Sequence, residues 1–243
     1  MSKFKDSLIY AGKYFRTFYR WLFVSGFIGA VCGLVGSFFH IAVSWANSFR
    51  GENGWLIYFM PLGGLAIALL YRVTRMRGVG TNRILDSIHE GDRLHIMLVP
   101  AVFISTVLTH LVGGSAGREG AALQIGGGLG AKIGRALRLD DKDMRIVTMC
   151  GMSAVFAALF GTPLTAAVFA LEVISVGVLY YVALIPCLVS SITAFAISIA
   201  FGLSPTRFSV TVEPLAALTL LKVVVLSIAC AVVSMLFCSA LHK

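Results

Sequence analysis

Long stretches of this chain contain no Asp, Glu, Lys or Arg, and these charge-free intervals dominate the sequence pattern. They run over residues 21–49, 53–71, 96–117, 146–171, 173–206 and 214–221, and the last resumes after Lys222. Because about 20 apolar residues in a helix cross the hydrocarbon core of a bilayer, most of the intervals predict membrane-spanning helices. The strict alternation that a membrane β-barrel requires is missing. The sequence therefore predicts an all-α integral membrane protein.

Composition narrows the class of protein further. The 243 residues are 58% hydrophobic and only 13% charged, with a mean hydropathy of +0.90. Soluble domains carry about 25% charged residues. These values exclude a soluble enzyme, a nucleic-acid-binding module and a disordered chain, so the bilayer is the expected surrounding. The five cysteines lie in apolar stretches without metal-ligand spacing, and neither they nor His40 and His110 predict a metal or cofactor.

The net charge of +9 is concentrated between the apolar intervals. Basic residues precede the first interval, and a second basic group follows the second interval. By the positive-inside rule, both groups are expected in the cytoplasm, so residues 1–20 are interpreted as a basic cytoplasmic segment of a plasma-membrane protein. The residues are Lys3, Lys5, Lys13, Arg16 and Arg20 in the first group, and Arg72, Arg75, Arg77, Arg83 and Arg93 in the second.

Two sets of glycines recur at spacings of three and four residues, which places each set on one helix face. Such faces let helices approach closely in lipid, where packing replaces the hydrophobic driving force. We therefore expect both sets to be packing surfaces. The sets are Gly26, Gly29, Gly33 and Gly36, and Gly126, Gly130 and Gly134.

A third glycine-rich segment predicts a broken helix. Residues 113–120 read Gly-Gly-Ser-Ala-Gly-Arg-Glu-Gly inside an otherwise apolar stretch. Since each glycine costs a helix interior about 1 kcal/mol relative to alanine, one helix is expected to end near Gly113 and another to begin between Gly117 and Glu119. At membrane depth, irregular backbone survives only inside protein or beside a watery cavity. The new helix start would present free amides and a positive dipole end, which is an anion-binding arrangement.

Two further segments have unusual helix starts. In Gly161-Thr162-Pro163, the threonine suits the N-cap and the proline suits the first helical position. The helix from Pro163 to Glu172 is too short to cross the bilayer. The other segment opens at residues 78–82 and is interpreted as a short amphipathic element that ends near Glu90. Short elements of this kind are typical of proteins that bind an ion near the bilayer midplane.

Two carboxylates, Glu119 and Glu172, stand apart from the nine acidic residues in loops or at segment ends. Ionisable groups within the membrane are costly and are functional candidates by default. Glu172 could instead end its half-helix in solvent, and Glu119 could form a structural ion pair with Arg118. In the functional alternative, ionised Glu119 occupies the anion site at the helix start and leaves it on protonation, which couples anion movement to a proton.

These residues resemble a known family. Gly117-Arg118-Glu119-Gly120, followed by Leu-Gln-Ile-Gly-Gly at residues 123–127, is similar to the GREGP and QIGG signature of CLC chloride channels and proton-coupled anion transporters. The segment from Gly161 through Glu172 is similar to the family's NAPL region. The resemblance covers most of the chain and implies a CLC-like bundle of tilted and broken helices. Residues 21–243 would form the first inverted-repeat half and the opening helix of the second, an apparently truncated transmembrane domain.

The resemblance also implies roles for particular residues. Glu119 would be the gating and proton-coupling glutamate, and Glu172 a candidate internal proton site. Val173 stands where chloride antiporters have their internal glutamate, and Val79 and Asn82 replace the serine and proline of the family's GSGIP loop. These departures, together with Thr109-His110-Leu111, are closer to the fluoride-exporting branch. The anion-binding residues would be Gly78, Val79, Gly80, Thr81, Asn82, Gly117, Arg118, Gly120 and Ala121.

The leading hypothesis is a CLC-type channel or proton-coupled transporter for chloride or fluoride that is gated by Glu119 and forms a homodimer. A second hypothesis is a truncated half that does not transport. A third is a cation or proton carrier that uses Glu172, although the chain lacks the acidic ring typical of cation pores. None of these is an enzyme, and none requires a cofactor.

Overall fold

The computed structural model describes residues 2–76, 95, 97–174, 180–205 and 216–241, and in these ranges the regular structure is helical. The anion-loop residues 78–82 proposed from the sequence lie outside the described residues. Short 3₁₀ turns at Gly54–Phe59 and Tyr181–Ala183 precede two of the helices. The α-helices are α1 (Ser2–Glu52), α2 (Met60–Val73), α3 (Leu98–Leu111), α4 (Glu119–Ala136), α5 (Asp141–Phe160), α6 (Pro163–Glu172), α7 (Leu184–Ala200) and α8 (Ala217–Leu241).

Helix length and composition confirm the membrane class. Five of the described helical segments are long and apolar enough to cross a bilayer, whereas α3 and α6 are shorter. Helix α1 has 51 residues, about 76 Å at 1.5 Å per residue, and it continues without a break through residue 20. The segments are residues 15–52, 54–73, 141–160, 181–200 and 217–240.

The chain divides into two compact units, residues 1–206 and residues 207–243. In the second unit, the described structure is α8, an apolar helix of 25 residues whose one charged residue is Lys222. In the first unit, α5 is buried along most of its length and packs against α1, α4, α6 and α7. Most of the predicted glycine positions lie where these helices meet.

The α1 glycines contact two neighbouring helices. A Cβ atom built on Gly29 would stand 2.5 Å from the Ser190 carbonyl oxygen of α7, and one on Gly33 would stand 2.7 Å from the Cα atom of Ala194. Gly36 faces Ala158 of α5. Gly26 differs from the expectation, because nothing lies within 4 Å of its Cβ position. The packing face therefore begins one turn later than the spacing predicted.

Helices α4 and α5 approach each other backbone to backbone. A Cβ atom on Gly126 would collide with the carbonyl oxygen of Gly151, and one on Gly151 would collide with that of Gly126. The Cβ position of Gly130 is blocked in the same way by the Val147 carbonyl. The predicted glycine face on α4 is therefore a packing surface, and its partner glycine on α5 completes the crossing.

Two contacts connect α1 to other helices at positions 30 residues apart. At the first position, the Arg20 side chain of α1 forms a 2.7 Å ion pair with Asp143, in the first turn of α5. At the second position, Arg50 lies against Gly113, which follows α3. Since α1 connects Arg20 to Arg50, the break between α3 and α4 lies beside the end of α1 remote from the basic N-terminal segment.

Candidate functional site

The turn that ends α3 is built by two glycines. Gly113 has a φ angle of +86°, which residues with a side chain rarely adopt. Its amide donates to the His110 carbonyl at 3.2 Å, and the Gly114 amide donates to the Thr109 carbonyl at 2.8 Å. This hydrogen-bond pair is the Schellman motif, which satisfies carbonyls left open at a helix end. The helix end predicted near Gly113 is confirmed.

Helix α4 begins at Glu119, as the sequence predicted, and its first turn retains free donors. Arg118 is the N-cap residue, but its side chain makes no capping hydrogen bond. The first backbone bond runs from the Ala122 amide to the Arg118 carbonyl at 2.9 Å. The amides of Glu119, Gly120 and Ala121 therefore have no partner within the helix, and the positive end of the helix dipole lies with them.

Arg118 extends towards the end of α5 rather than towards Glu119. Its guanidinium carbon lies 6.0 Å from the centroid of the Phe160 ring, a cation–π arrangement. Both Arg118 and Glu119 are among the described residues, and they do not pair with each other. The structural ion pair considered from the sequence is therefore not present. The guanidinium instead lies at the C-terminal end of α5, where the helix dipole favours a positive charge.

The Glu119 side chain folds back over the preceding glycine. Its Oε2 atom lies 2.6 Å from the position a Cβ atom would take on Gly117. The residue is exposed, while Gly120 is half-buried and Ala121 is 6% exposed. The carboxylate thus lies beside the unbonded first turn of α4, and its present position requires glycine at residue 117.

The break between α5 and α6 has the predicted form with one difference. Gly161 ends α5 with a φ angle of +72°, and its Cβ position is blocked by Pro205. Pro163 occupies the first turn of α6 as expected, but the Thr162 side chain makes no capping hydrogen bond. The pyrrolidine ring holds the φ angle of Pro163 itself near the helical value, so the helix starts here without a side-chain cap. Helix α6 has 10 residues, about 15 Å, and Glu172 is its last residue and half-buried.

The structure brings together one part of the predicted site. Gly117, Arg118, Glu119, Gly120 and Ala121 form the start of α4, whereas Glu172 lies at the end of a different helix. Residues 78–82 stay a prediction because they lie outside the described residues.

Two residues near the break between α3 and α4 were not singled out as functional from the sequence. Arg50 places its Cδ atom 3.3 Å from the Cβ position of Gly113. His40 hydrogen-bonds the Leu159 carbonyl through Nδ1 at 3.0 Å. The sequence offers a signal only for His40, which continues the glycine face of α1 four residues after Gly36.

An all-α membrane fold in which one helix ends and the next begins at a glycine-rich break, with a glutamate beside the free helix start, is the architecture of membrane proteins with discontinuous helices. Residues 63–243 match the voltage gated chloride channel family. The chain is 36% identical over 251 residues to a chloride/fluoride channel protein of Pseudomonas syringae pv. tomato, covering 100% of this chain and 54% of the relative. The chain belongs to the voltage gated chloride channel family, the CLC proteins.

Other relatives agree with this assignment. An H(+)/Cl(-) exchange transporter ClcA of Vibrio campbellii is 30% identical over 168 residues, 62% of this chain and 36% of that protein. The crystal structure of a CLC-type fluoride/proton antiporter superimposes with a TM-score of 0.80 at 33% identity, covering 87% of this chain and 54% of the other. A slow cyanobacterial Cl-/H+ antiporter shares the fold, with a TM-score of 0.69 at 22% identity. The chain spans about half the length of the relatives it matches.

Proposed function

We propose that this chain forms part of a proton-coupled anion transporter that carries fluoride or chloride and is gated by Glu119. One observation carries the proposal: the Glu119 carboxylate lies over Gly117 at the start of α4, beside three amides without partners in the helix. A permeating halide and an ionised carboxylate are both anions, so the same amides and helix dipole attract them.

Competition between the Glu119 carboxylate and the anion for the start of α4 couples anion movement to proton movement. While Glu119 is ionised, its negative charge holds it near the amides and repels an incoming anion. Protonation removes that charge, so the carboxyl group loses its electrostatic attraction to the helix start and the anion takes its place. Return of the Glu119 carboxylate to the site requires release of the proton and departure of the anion. The exchange thus moves a proton and an anion through one position in alternation.

We propose fluoride as the favoured halide. Val79 and Asn82 replace the serine and proline of the family's first anion loop, and Val173 replaces its internal glutamate. A fluoride/proton antiporter structure at 33% identity and a chloride/fluoride channel relative at 36% identity support this choice. The residues proposed to complete the site are Gly78, Val79, Gly80, Thr81, Asn82, Gly117, Arg118, Gly120 and Ala121, with Glu172 as the internal proton site.

The assembly, the membrane and the orientation of the chain are proposed from its likeness to the family and from its charge pattern. From the chain's membership of the CLC family, we propose a homodimer in the plasma membrane. We propose that the N-terminus lies in the cytoplasm, because Arg16 and Arg20 lie at the end of α1 that carries the Arg20–Asp143 ion pair. The relatives are nearly twice as long as the matched region. We therefore propose that residues 21–243 supply the first half of the pore and that transport requires a second half.

A flux assay with complementation tests the function. The chain is coexpressed with the segment of the Pseudomonas relative that it does not cover, purified and placed in liposomes, and fluoride efflux, chloride efflux and proton uptake are recorded together. We expect fluoride to leave faster than chloride with coupled proton movement, and Glu119→Ala to abolish the coupling. Glu52→Ala, which removes an exposed carboxylate from α1, is the matched control and is expected to retain it.

Two outcomes would contradict the proposal. If neither halide moves, the transport function fails for this chain and the alternative of a half that does not transport is supported. If flux occurs but Glu119→Ala leaves proton coupling and pH dependence unchanged, the gate is not Glu119. Loss of coupling in Glu172→Gln with Glu119 intact would support the internal proton site.

A further inference from the structure

His40 ties α1 to the C-terminal end of α5. Its Nδ1 atom lies 3.0 Å from the Leu159 carbonyl oxygen. A carbonyl only accepts hydrogen bonds, so Nδ1 carries a proton and donates it, and Nε2 is the nitrogen that gains a proton when the ring becomes charged. The last carbonyls of a helix have no partner within it, and His40 supplies one for Leu159.

Arg118 reaches the next residue of the same helix end. Its guanidinium lies over the Phe160 ring at 6.0 Å and within electrostatic range of the His40 imidazole. Two side chains that can carry positive charge thus converge on Leu159 and Phe160. The negative end of the α5 dipole attracts each of them, but a charged imidazole and a guanidinium repel each other.

We propose that His40 is a positioning residue for the Glu119 gate and that it acts through Arg118. A neutral imidazole leaves Arg118 against Phe160. A charged imidazole repels Arg118, and because Arg118 directly precedes Glu119, the backbone over residues 117–119 shifts with it. The position of the gate then depends on pH through a group other than the gate itself. This inference rests on the proposed role of Glu119.

The surroundings of His40 offer few competing charges. In the described part of the chain, the last two turns of α5 and the end of α7 carry no titratable side chain. Helix α3, which contacts α1 through Phe103, contributes His110, but that ring bonds the Thr106 carbonyl of its own helix at 2.8 Å. Arg118 and, beyond it, Glu119 are therefore the charges that respond to His40.

Cysteine modification measures the gate position without requiring transport. Glu119→Cys is introduced together with Cys230→Ser and Cys238→Ser, since these two thiols are exposed while the other three are buried. The modification rate with a neutral thiosulfonate reagent is followed from pH 5 to 8. We expect His40→Gln, which retains a donor for the Leu159 carbonyl but does not titrate, to change the rate ratio between these limits by about threefold, equivalent to half a pH unit of coupling.

Matched variants separate this role from a structural one. His110→Gln is expected to leave the pH profile unchanged, and Arg118→Gln is expected to remove the His40-dependent part. His40→Phe, which lacks the donor, reports the structural contribution through its melting temperature in detergent. An identical pH profile with His40 and with His40→Gln would overturn the proposal. Absence of halide flux would instead count against the transport function, because the modification rate does not depend on it.

Discussion

The carboxylate of Glu119 lies over the Cα atom of Gly117, so that an alanine Cβ at residue 117 would stand 2.6 Å from Oε2. The backbone at Gly117 does not have the positive φ that favours glycine, so Gly117→Ala introduces a steric conflict with the carboxylate and no backbone strain. We expect this variant to fold normally while the glutamate rotates away from the helix start. In the flux assay, proton coupling is expected to fall about as far as in Glu119→Ala.

A glycine without neighbours is the control for this substitution. Gly64 lies in α2, and nothing lies within 4 Å of its Cβ position. Gly64→Ala is expected to raise the free energy of unfolding by up to about 1 kcal/mol, since alanine favours the helix, and to leave coupling intact. If Gly117→Ala couples protons as well as Gly64→Ala does, the carboxylate position seen here is unrelated to the gate.

The glycine face of α1 predicts opposite effects for two neighbouring substitutions. Gly29→Ala would place a methyl group 2.5 Å from the Ser190 carbonyl, and overpacking of this kind costs about 1–3 kcal/mol. Gly26→Ala meets no atom within 4 Å and is expected to stabilise the helix by up to about 1 kcal/mol. Melting temperatures of the two variants in detergent, measured side by side, check the prediction. Equal changes would show that α1 and α7 do not pack through Gly29.

Buried hydroxyl groups provide a second matched pair. The Ser190 hydroxyl donates to the Cys150 carbonyl at 3.0 Å and so joins α7 to α5. We expect Ser190→Ala to lower stability by about 0.6 kcal/mol and at most about 1.7, the range measured for hydrogen bonds between membrane helices. The Ser37 hydroxyl is fully buried and finds no hydrogen-bond partner in the described structure.

Removing an unsatisfied buried hydroxyl group relieves a desolvation cost, so Ser37→Ala is expected to be neutral or stabilising. Both substitutions remove one oxygen atom from a buried helix face, which makes them comparable. Unfolding in detergent monitored by circular dichroism distinguishes them. A larger loss of stability for Ser37→Ala than for Ser190→Ala would contradict the assignment.

Sequence predicted the features that local chemistry determines. The breaks after α3 and α5 follow from Gly113, Gly161 and Pro163, whose backbone preferences act within a few residues. The start of α4 at Glu119 follows from the same glycine-rich run. These positions required no knowledge of the remaining chain.

Contacts between distant helices were not predictable in this way. The approach of Arg118 to Phe160 depends on how α4 and α5 cross, whereas adjacency in sequence offered Glu119 only as an alternative partner. Glycine spacing identifies a face of α1 but not where the neighbouring helix begins, and Gly26 lies on that face without a contact at its Cβ position. The bond from His40 to Leu159 spans 119 positions in the chain, and only the folded structure brings the two together.

Two helices end with an arginine in the left-handed backbone conformation that glycine usually adopts at this position. At these two ends, the placement of positive charge competes with the backbone preference for glycine. Arg75 and Arg138 have φ angles of 57° and 53° in Schellman turns after α2 and α4, whereas Gly113 and Gly202 occupy this position after α3 and α7. Arg138 follows α4 shortly before Asp143, which pairs with Arg20. A positive charge at this end of the molecule agrees with the positive-inside rule, even though arginine in the left-handed region is strained.

Arg138→Gly should therefore relieve strain, and we expect the free energy of unfolding to rise by about 1 kcal/mol. Lys132→Gly is the matched control, because it also replaces a cation with glycine, but inside α4, where glycine costs about 1 kcal/mol. Melting temperatures should move in opposite directions. If both variants lose stability, Arg138 contributes more through its charge than it costs in backbone strain, and the positive charge at this helix end is itself a stabilising element of the fold.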